Sequence, residues 1–543
     1  MVATHEVANQ PPPLADYDVF STDRALVEGV DRYGGGHARA QLAEIGRRAG
    51  SAQAQEWARL ANTYGPVLRT HDRYGNRIDE VEFHPSWHDL TRTAVGFGLH
   101  AAPWHDTGEA AHLRRAAGYY TWIQTEGGHA CPVTMTYAVI PALRNESDLA
   151  QQYEQLIAST TYDPGLRTPA SKAGLLAGMG MTEKQGGSDV RANTTQATAN
   201  ADGTYTLRGH KWFCSAPMCD LFLILAQVEG KGPTCFLVPR ILPDGTRNAF
   251  ALQRLKDKLG NRSNASSEVE FDGTTGWRVG PEGRGVPTII EMVQMTRLDC
   301  VIGSAAGMRG AVTQAIHHTT HRSAFGSTLR DKPLMRNVLA DLAVEAEAAS
   351  VLMLRLATAV DHPGAPGETA FGRLATAVGK FWICKRTVAT VAEAMECLGG
   401  NGYVEDSGLP RMYRESPLNA IWEGSSNVIA LDVLRALTRQ PDSLEAYVAE
   451  VDLATGADVR LDAAVKRLHA ELADPTDVEA RARRVASLMA LCLQGSLLVR
   501  HSPGYVADAF CASRLDGDWG HVLGTLPPGL DTKSIVDRAA VTT

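Results

Sequence analysis

The sequence has few of the features that would tie it to a metal, a membrane or a polyanion. Cysteine occurs nine times without a paired framework. Cys214 and Cys219 are close, but no second Cys or His pair completes a zinc ligand set. The expectation is therefore no metal, and buried reduced thiols in a cytoplasmic protein. The N-terminus lacks an apolar signal core, and Gln10-Pro-Pro-Pro13 interrupts it early. The most apolar runs, Leu221–Val228 and Leu488–Val499, read as too short or too interrupted to span a bilayer, so no membrane contact is expected. Positive charge is not in excess: 53 Lys and Arg stand against 61 Asp and Glu, a net of −8. That excludes a whole-molecule attraction to nucleic acid, and a DNA partner would need a local basic patch. No internal repeat or low-complexity tract is present.

What is there is a chain of 543 residues, 44% hydrophobic and 21% charged, which fits a soluble globular protein of several domains. Residues 1–30, rich in Pro and polar side chains, read as an extended arm that packs on a neighbour. From Thr22 to Arg167 the pattern is mainly helical, broken by Gly34-Gly-Gly36, the turn His71–Asn76 and Pro103. His129 and Cys131 flank a loop there. They read as a core histidine and a buried thiol, since no acid is placed locally to orient the imidazole.

Between Gly178 and Gly285 the period changes to short β-type runs around Tyr205, Leu221, Thr234 and Ser267, separated by Gly-containing turns. Helical periodicity then returns. Val338, Leu342, Ala346, Ala349, Met353 and Leu356 make one apolar face, and Phe381, Val388 and Met395 mark a second. Such stripes bury against each other as a bundle. Beyond residue 440, Asp474-Pro475 is a candidate start for a helix carrying Val478, Ala482, Val485 and Met489. The fold class is α+β, mainly α. The expected domains are 1–177 (arm and helical), 178–285 (β), 286–440 (helical bundle) and 441–543 (helical extension).

Three stretches carry chemistry. Gly178-Met-Gly-Met-Thr-Glu-Lys-Gln-Gly-Gly-Ser-Asp189 lets backbone N–H groups and hydroxyls approach a flat ligand. Gly209-His-Lys-Trp-Phe-Cys-Ser-Ala216 places Phe213 and Ser215 two apart, on one face of a strand. Ile421-Trp-Glu-Gly-Ser-Ser-Asn427 holds a lone carboxylate before a hydroxyl-rich turn. In this order they resemble the flavin-binding and catalytic signatures of the acyl-CoA dehydrogenases. The wording Met-Thr-Glu-Lys-Gln-Gly-Gly-Ser-Asp resembles one branch, the AidB-type proteins of the bacterial response to DNA alkylation.

The resemblance covers roughly residues 10–440 and implies a helical, β, helical-bundle layout with FAD as cofactor. It implies Glu423 as the base that removes the α-proton of an acyl thioester while flavin N5 accepts the β-hydride. An isolated carboxylate in an apolar pocket suits that task, because desolvation raises its pKa. The family's alternative base position, in Met295-Thr296-Arg297-Leu298, is Thr296 here and leaves Glu423 without a rival. Thr182, Gly187 and Ser188 fall at the isoalloxazine, with Phe213, Cys214 and Ser215 beside it. Arg322-Ser-Ala-Phe325-Gly326 matches the diphosphate-binding Arg-x-x-Phe-Gly. The loop Gly399, Gly400, Gly402 matches Gly-Gly-x-Gly-Tyr, and Asn427 is the contact on the final turn. In the family, Arg322 and the glycine loop reach FAD from the adjacent subunit, so a homotetramer is implied.

Lys184 stands where most relatives have proline, which would alter the mouth of a substrate pocket that Thr296, Arg297, Trp422, Gly424 and Arg435 also border. The substrate class implied is an acyl-CoA or similar acyl compound; the electron acceptor is left open. The alternative is a double-stranded-DNA-binding flavoprotein, with the extension as contact region. Residues 441–543 hold ten Lys or Arg against fifteen Asp or Glu, a net of −5. Candidate phosphate contacts are Arg439, Lys466, Arg467, Arg481, Arg483 and Arg484, for which helical charge pairs are the plainer reading.

Overall fold

The computed structural model describes residues 4–106, 108–518 and 520–541. The chain forms two compact units. One, mixed α and β, takes residues 53–111 and 125–299; the other, helical, takes 1–52, 112–124 and 300–543.

The mixed unit is built on a seven-stranded sheet. After a hairpin of β1 (Val67–His71) and β2 (Arg77–Glu82), the sheet strands are β3 (Ala177–Gly180), β4 (Gln196–Ala199), β5 (Tyr205–Ser215), β6 (Leu221–Val228), β7 (Gly232–Pro239), β8 (Phe250–Leu255) and β9 (Ser266–Val279). The order is β3-β6-β4-β5-β9-β7, with β8 on β9; a β6–β7 pairing closes five strands into a ring. Closure leaves few edges to protect, and Leu207, Leu223, Ile224, Phe236, Leu237 and Val269 on its strands are all essentially without exposure, so both faces of the sheet are covered. The strand-type runs read from the sequence fall in β5, β6, β7 and β9. The His71–Asn76 break is the tip of the β1–β2 hairpin, where Asp72 accepts the N–H groups of Tyr74 and Asn76 and Gly75 takes φ +86°. The flanking strands are too exposed to show an alternating apolar pattern.

The helix Ala130–Leu143 is buried nearly all round. His129, at its start, is a core residue, but an orienting acid does lie close by. Glu126, three residues earlier, accepts His129 Nδ1–H at 2.9 Å together with the N–H of Gly128 and of His129 and the Ser263 hydroxyl. The carboxylate thus serves to fix the loop, a use that spacing alone did not reveal.

The helical unit centres on the antiparallel helices Pro333–Asp361 and Glu368–Glu396. Leu342, Leu352, Leu356, Leu374 and Val378 fill the seam. Gly379 lets the two approach, since a Cβ there would lie 3.2 Å from a methyl of Leu356. The expected N-terminal arm packs on its own chain instead. Phe20 is 1% exposed, Asp16 N–H donates to Gly50 O, and a Cβ on Gly50 would fall 2.0 Å from Tyr17 O. The apolar residues Leu14, Val19 and Phe20, scattered among polar ones, do this without any periodic signal.

Residues 441–543 are integrated into this unit. The helix Val478–His501 packs on Pro333–Asp361, Glu368–Glu396 and Ser426–Arg439. Asp474 closes the preceding helix Val459–Ala473, and the next begins only at Val478, after Asp477 in a left-handed conformation (φ +48°). The Asp474-Pro475 helix start is therefore corrected by one turn, because these residues form the connection. The 24-residue helix Val478–His501 is long and apolar enough to cross a bilayer, contrary to the sequence reading; its apolar window is 67% buried inside the protein, as in a core helix. Arg514, 1% exposed, pairs with Asp341 and, at 3.0 Å, with Glu345, which also binds Arg386 at 3.0 Å. Burial raises the Glu345 pKa, but Arg386 and Arg514 outweigh it and hold the carboxyl at about 2.

Candidate active site

In the mixed unit, β3 runs into the glycine-rich stretch. The Trp212 N–H donates to Thr182 O at 2.8 Å, and Glu183 and Gly186 exchange backbone hydrogen bonds to form a tight loop. Gly186 has φ +142°, outside the range of ordinary side chains. Gly187 is required by packing: a Cβ there would sit 2.4 Å from Thr182 Oγ1. Ser188 lies on the exposed turn that follows.

Beneath this loop lies an ion pair that the sequence reading did not single out. Lys211 Nζ is 2.7 Å from Glu183 Oε1, and both side chains are fully buried. Glu183 also accepts the N–H groups of Thr194 (2.7 Å) and Thr195 (3.1 Å) and the Thr194 hydroxyl. Burial raises the Glu183 pKa, and the Lys211 charge with these donors brings it well below the usual carboxylate range. Such a fully bonded carboxylate holds Thr182 in place; it is not available as a base. The signal was the Thr-Glu motif itself, but its partner lies 28 residues away on β5.

On β5, Phe213 is half exposed while Cys214 is fully buried, with its thiol toward Met179 O. Burial pushes the Cys214 pKa up to about 12. The Cys214 side chain is thus turned away from the Phe213 face, which leaves only its backbone to a ligand. Ser215 Oγ is 3.2 Å from Ser266 Oγ. Lys256 stands 3.1 Å over the Trp212 ring and 4.8 Å from that of Phe213. Lys184 donates its N–H to His210 and lies 3.8 Å from Glu270 at the surface. Thr296 is buried and gives its hydroxyl to Val293 O, a role internal to its helix; Arg297 is buried nearby.

In the helical unit, Glu423 takes φ +57° and Gly424 φ +102°. A glutamate in the left-handed region costs on the order of 1 kcal/mol and marks a position held by its surroundings. The holding group is Lys380, 2% exposed, whose Nζ donates to Gly424 O at 2.8 Å and Asn419 O at 3.1 Å. Trp422 Nε1 donates to Asn419 Oδ1 at 2.8 Å, and Asn419 Nδ2 to Ser304 Oγ at 3.1 Å. Next to this turn is a cleft of about 520 Å³, bordered by Ile421, Ser425, Ser426 and Asn427. Arg435 is not among its lining residues; it is largely exposed and pairs with Asp432 at 3.3 Å.

Arg322 and Phe325 lie on a short hairpin whose strands are Ser323–Ala324 and Ser327–Thr328. Arg322 Nη1 donates to Asn9 O, and Phe325 at the tip is 98% exposed. In the turn Gly399–Tyr403, Gly399 (φ +60°) and Gly400 face open space, whereas a Cβ on Gly402 would fall 2.0 Å from Met395 O. Within each unit, taken by itself, the residues present fit a part of FAD. The Phe213 ring with the Ser215 hydroxyl offers a face to a flat heterocycle, and the open backbone at Gly399 and Gly400 admits phosphate oxygens.

The basic residues of the extension are largely engaged. Arg481 and Arg484 both bind Glu471, at 2.6 and 2.7 Å, and Arg467 donates to Leu515 O. Lys466 and Arg439 are exposed, and Arg483 faces the cleft beside Asn427. Among the described residues no cluster of three or more His, Cys, Asp or Glu forms a metal site, and all nine cysteines are buried and outside any disulfide.

The chain matches the adaptive response protein AidB N-terminal domain over residues 9–164. It also matches the acyl-CoA dehydrogenase middle domain over 178–274 and the C-terminal domain over 283–438. It is 46% identical to AidB of Escherichia coli (strain K12), across 94% of this chain and 95% of that protein. It is 30% identical to acyl-CoA dehydrogenase family member 11 of Caenorhabditis elegans, across 85% and 80%. The crystal structure of Caenorhabditis elegans ACDH-11 in complex with C11-CoA superposes with a TM-score of 0.86 at 27% identity, covering 94% of this chain and 93% of that one. The chain belongs to the acyl-CoA dehydrogenase family of FAD flavoproteins, in its AidB branch.

Proposed function

We propose that the protein dehydrogenates the Cα–Cβ bond of an acyl-CoA or similar acyl thioester, with Glu423 as the base that takes the α-proton. The observation that carries this is the locked turn. Glu423 is held in a left-handed conformation, with a buried lysine fixing the carbonyls of Asn419 and Gly424 on either side of it. Strain maintained by surrounding structure is characteristic of functional positions. FAD, when bound, supplies the acceptor for the β-hydride. Thr182, Ser188, Phe213 and Ser215 would hold its ring, while Arg322, the 399–402 backbone and Asn427 would hold its phosphate end. Lys184, Thr296, Arg297, Trp422 and Gly424 would border the substrate. The ACDH-11 complex with C11-CoA supports a fatty acyl-CoA as the first substrate to test. Anaerobic bleaching of the flavin absorbance by a panel of acyl-CoAs tests the reading, and failure of every chain length would remove it.

A homotetramer in the cytoplasm completes this reading. The Phe325 tip and Tyr403, at 98% and 80% exposure, are apolar surfaces that an adjoining subunit would cover. Duplex DNA as a second partner draws on Arg439, Lys466 and Arg483, since Glu471 partly neutralises Arg481 and Arg484. Such binding would be weak, indifferent to sequence and steeply salt-dependent. A gel shift at low salt that persists at physiological salt, or no shift at all, would contradict it.

A further inference from the structure

Behind Ser215 runs a chain of hydrogen bonds that ends on a lysine. Ser215 on β5 stands directly opposite Ser266 on β9, so the two side chains share one face of the sheet, and their Oγ atoms are 3.2 Å apart. Ser266 is 6% exposed. Lys258, in the connection between β8 and β9, sends its Nζ to Ser266 Oγ at 3.0 Å and to Asn264 O at 2.8 Å. Ser267, next along β9, turns the other way and donates to Cys214 O. An ammonium group has donors and no acceptor, so Ser266 Oγ accepts from Lys258. The Ser266 proton is then free for Ser215 Oγ, and the Ser215 proton is left to point outward. Ser215 is only half-buried, so a ligand lying on the Phe213 ring can meet its hydroxyl.

We infer that Lys258 and Ser266 are positioning residues for the flavin: acting in series through Ser215, they present its hydroxyl as a polarised donor to the isoalloxazine ring and raise the reduction potential of the bound cofactor. The inference rests on the reading that sets Ser215 at the ring, and extends it to two residues behind that serine. Each link strengthens the next, because an oxygen that accepts from a cation becomes a better donor. Reduction adds electron density to the ring, and a donor polarised by a positive charge favours the electron-rich form. A serine pair alone would exchange donor and acceptor roles by rotation of the hydroxyls. The ammonium biases that exchange in one direction, and the Asn264 carbonyl holds the ammonium in place. The plainer alternative, a lysine that only ties the β8–β9 connection to β9, predicts a loss of stability with no change of potential.

The test is the midpoint potential of the bound flavin, measured by anaerobic reductive titration against a reference dye. The proteins compared are the parent, Lys258→Met, Ser266→Ala, Ser215→Ala and the double variant Lys258→Met/Ser266→Ala, with a thermal midpoint for each. The titration uses no acyl-CoA, so absence of dehydrogenation would leave it intact. Each single substitution should shift the potential negative by about 30 mV, a tenfold change in the ratio of oxidised to reduced flavin for a two-electron couple. The double variant should match the larger single shift, since residues acting in series are not additive. A shift in Ser215→Ala alone overturns the relay while leaving Ser215 at the ring. No shift in any of the three overturns the relay together with the placement of Ser215. Lowered thermal midpoints without a shift, or shifts that add in the double variant, equally overturn it.

Discussion

Lys380 Nζ donates to the Gly424 carbonyl at 2.8 Å from within the helix Glu368–Glu396, so the residue after the proposed base is fixed by a lysine 44 positions earlier in the chain. The same ammonium reaches Asn419 O at 3.1 Å. Both ends of the turn that carries Glu423 therefore depend on one buried charge.

Replacing Lys380 by Met keeps the apolar stem and removes the donor. Two carbonyls then lose a charge-assisted partner, a loss of about 2–3 kcal/mol, and the left-handed Glu423 loses its clamp. The expected result is a lowered thermal midpoint together with a fall in any acyl-CoA-driven flavin reduction. A Lys380→Met protein with parental stability and parental reduction rate would show that the turn holds itself.

Gly187→Ala tests the flavin loop separately. The added methyl group would meet Thr182 Oγ1 at 2.4 Å, and the collision must move either the hydroxyl or the loop. The Glu183–Lys211 pair beneath should keep the fold intact, so the variant should melt near the parent but retain less flavin. The ratio of flavin to protein absorbance after gel filtration reads this directly. Undiminished flavin content would remove Thr182 from the cofactor site.

Acid should loosen the helical unit through Glu345. Its ordinary pKa of 4.5 falls to about 2 in the folded chain under the pull of Arg386 and Arg514. The folded state therefore binds fewer protons than the unfolded one between these values. The stabilisation is present above about pH 4.5 and is lost as pH falls toward 2; it is on the order of 3 kcal/mol. Glu345→Gln should be less stable at pH 7 and should show a shallower decline in acid. Arg514→Met, which leaves Asp341 and Glu345 short of a cation, should cost about 3–5 kcal/mol. Denaturant midpoints between pH 3 and pH 7 measure both.

Much of this was legible because it rests on local chemistry. The strands at Tyr205, Leu221 and Thr234 announce themselves by composition and turns, and the long helices by their apolar stripes. Phe213 and Ser215, two apart on β5, differ from the buried Cys214 as strand alternation requires. What escaped depends on partners distant in sequence. Lys380 and Lys211 look like ordinary helix and strand lysines until Gly424 and Glu183 are brought to them. The burial of Phe20 and the β1–β2 hairpin carry no periodic pattern; Glu126, by contrast, lies only three residues before His129 and was a local acid that the reading passed over.

The most direct test compares parent and Glu423→Gln in anaerobic stopped-flow, following the flavin absorbance after mixing with a fatty acyl-CoA. The amide preserves the volume of the side chain but cannot accept the α-proton. The account predicts that both proteins hold FAD equally, that the parent bleaches, and that the variant is slowed at least about a hundredfold, the lower range for loss of a general base. Equal bleaching rates in the two proteins would contradict it.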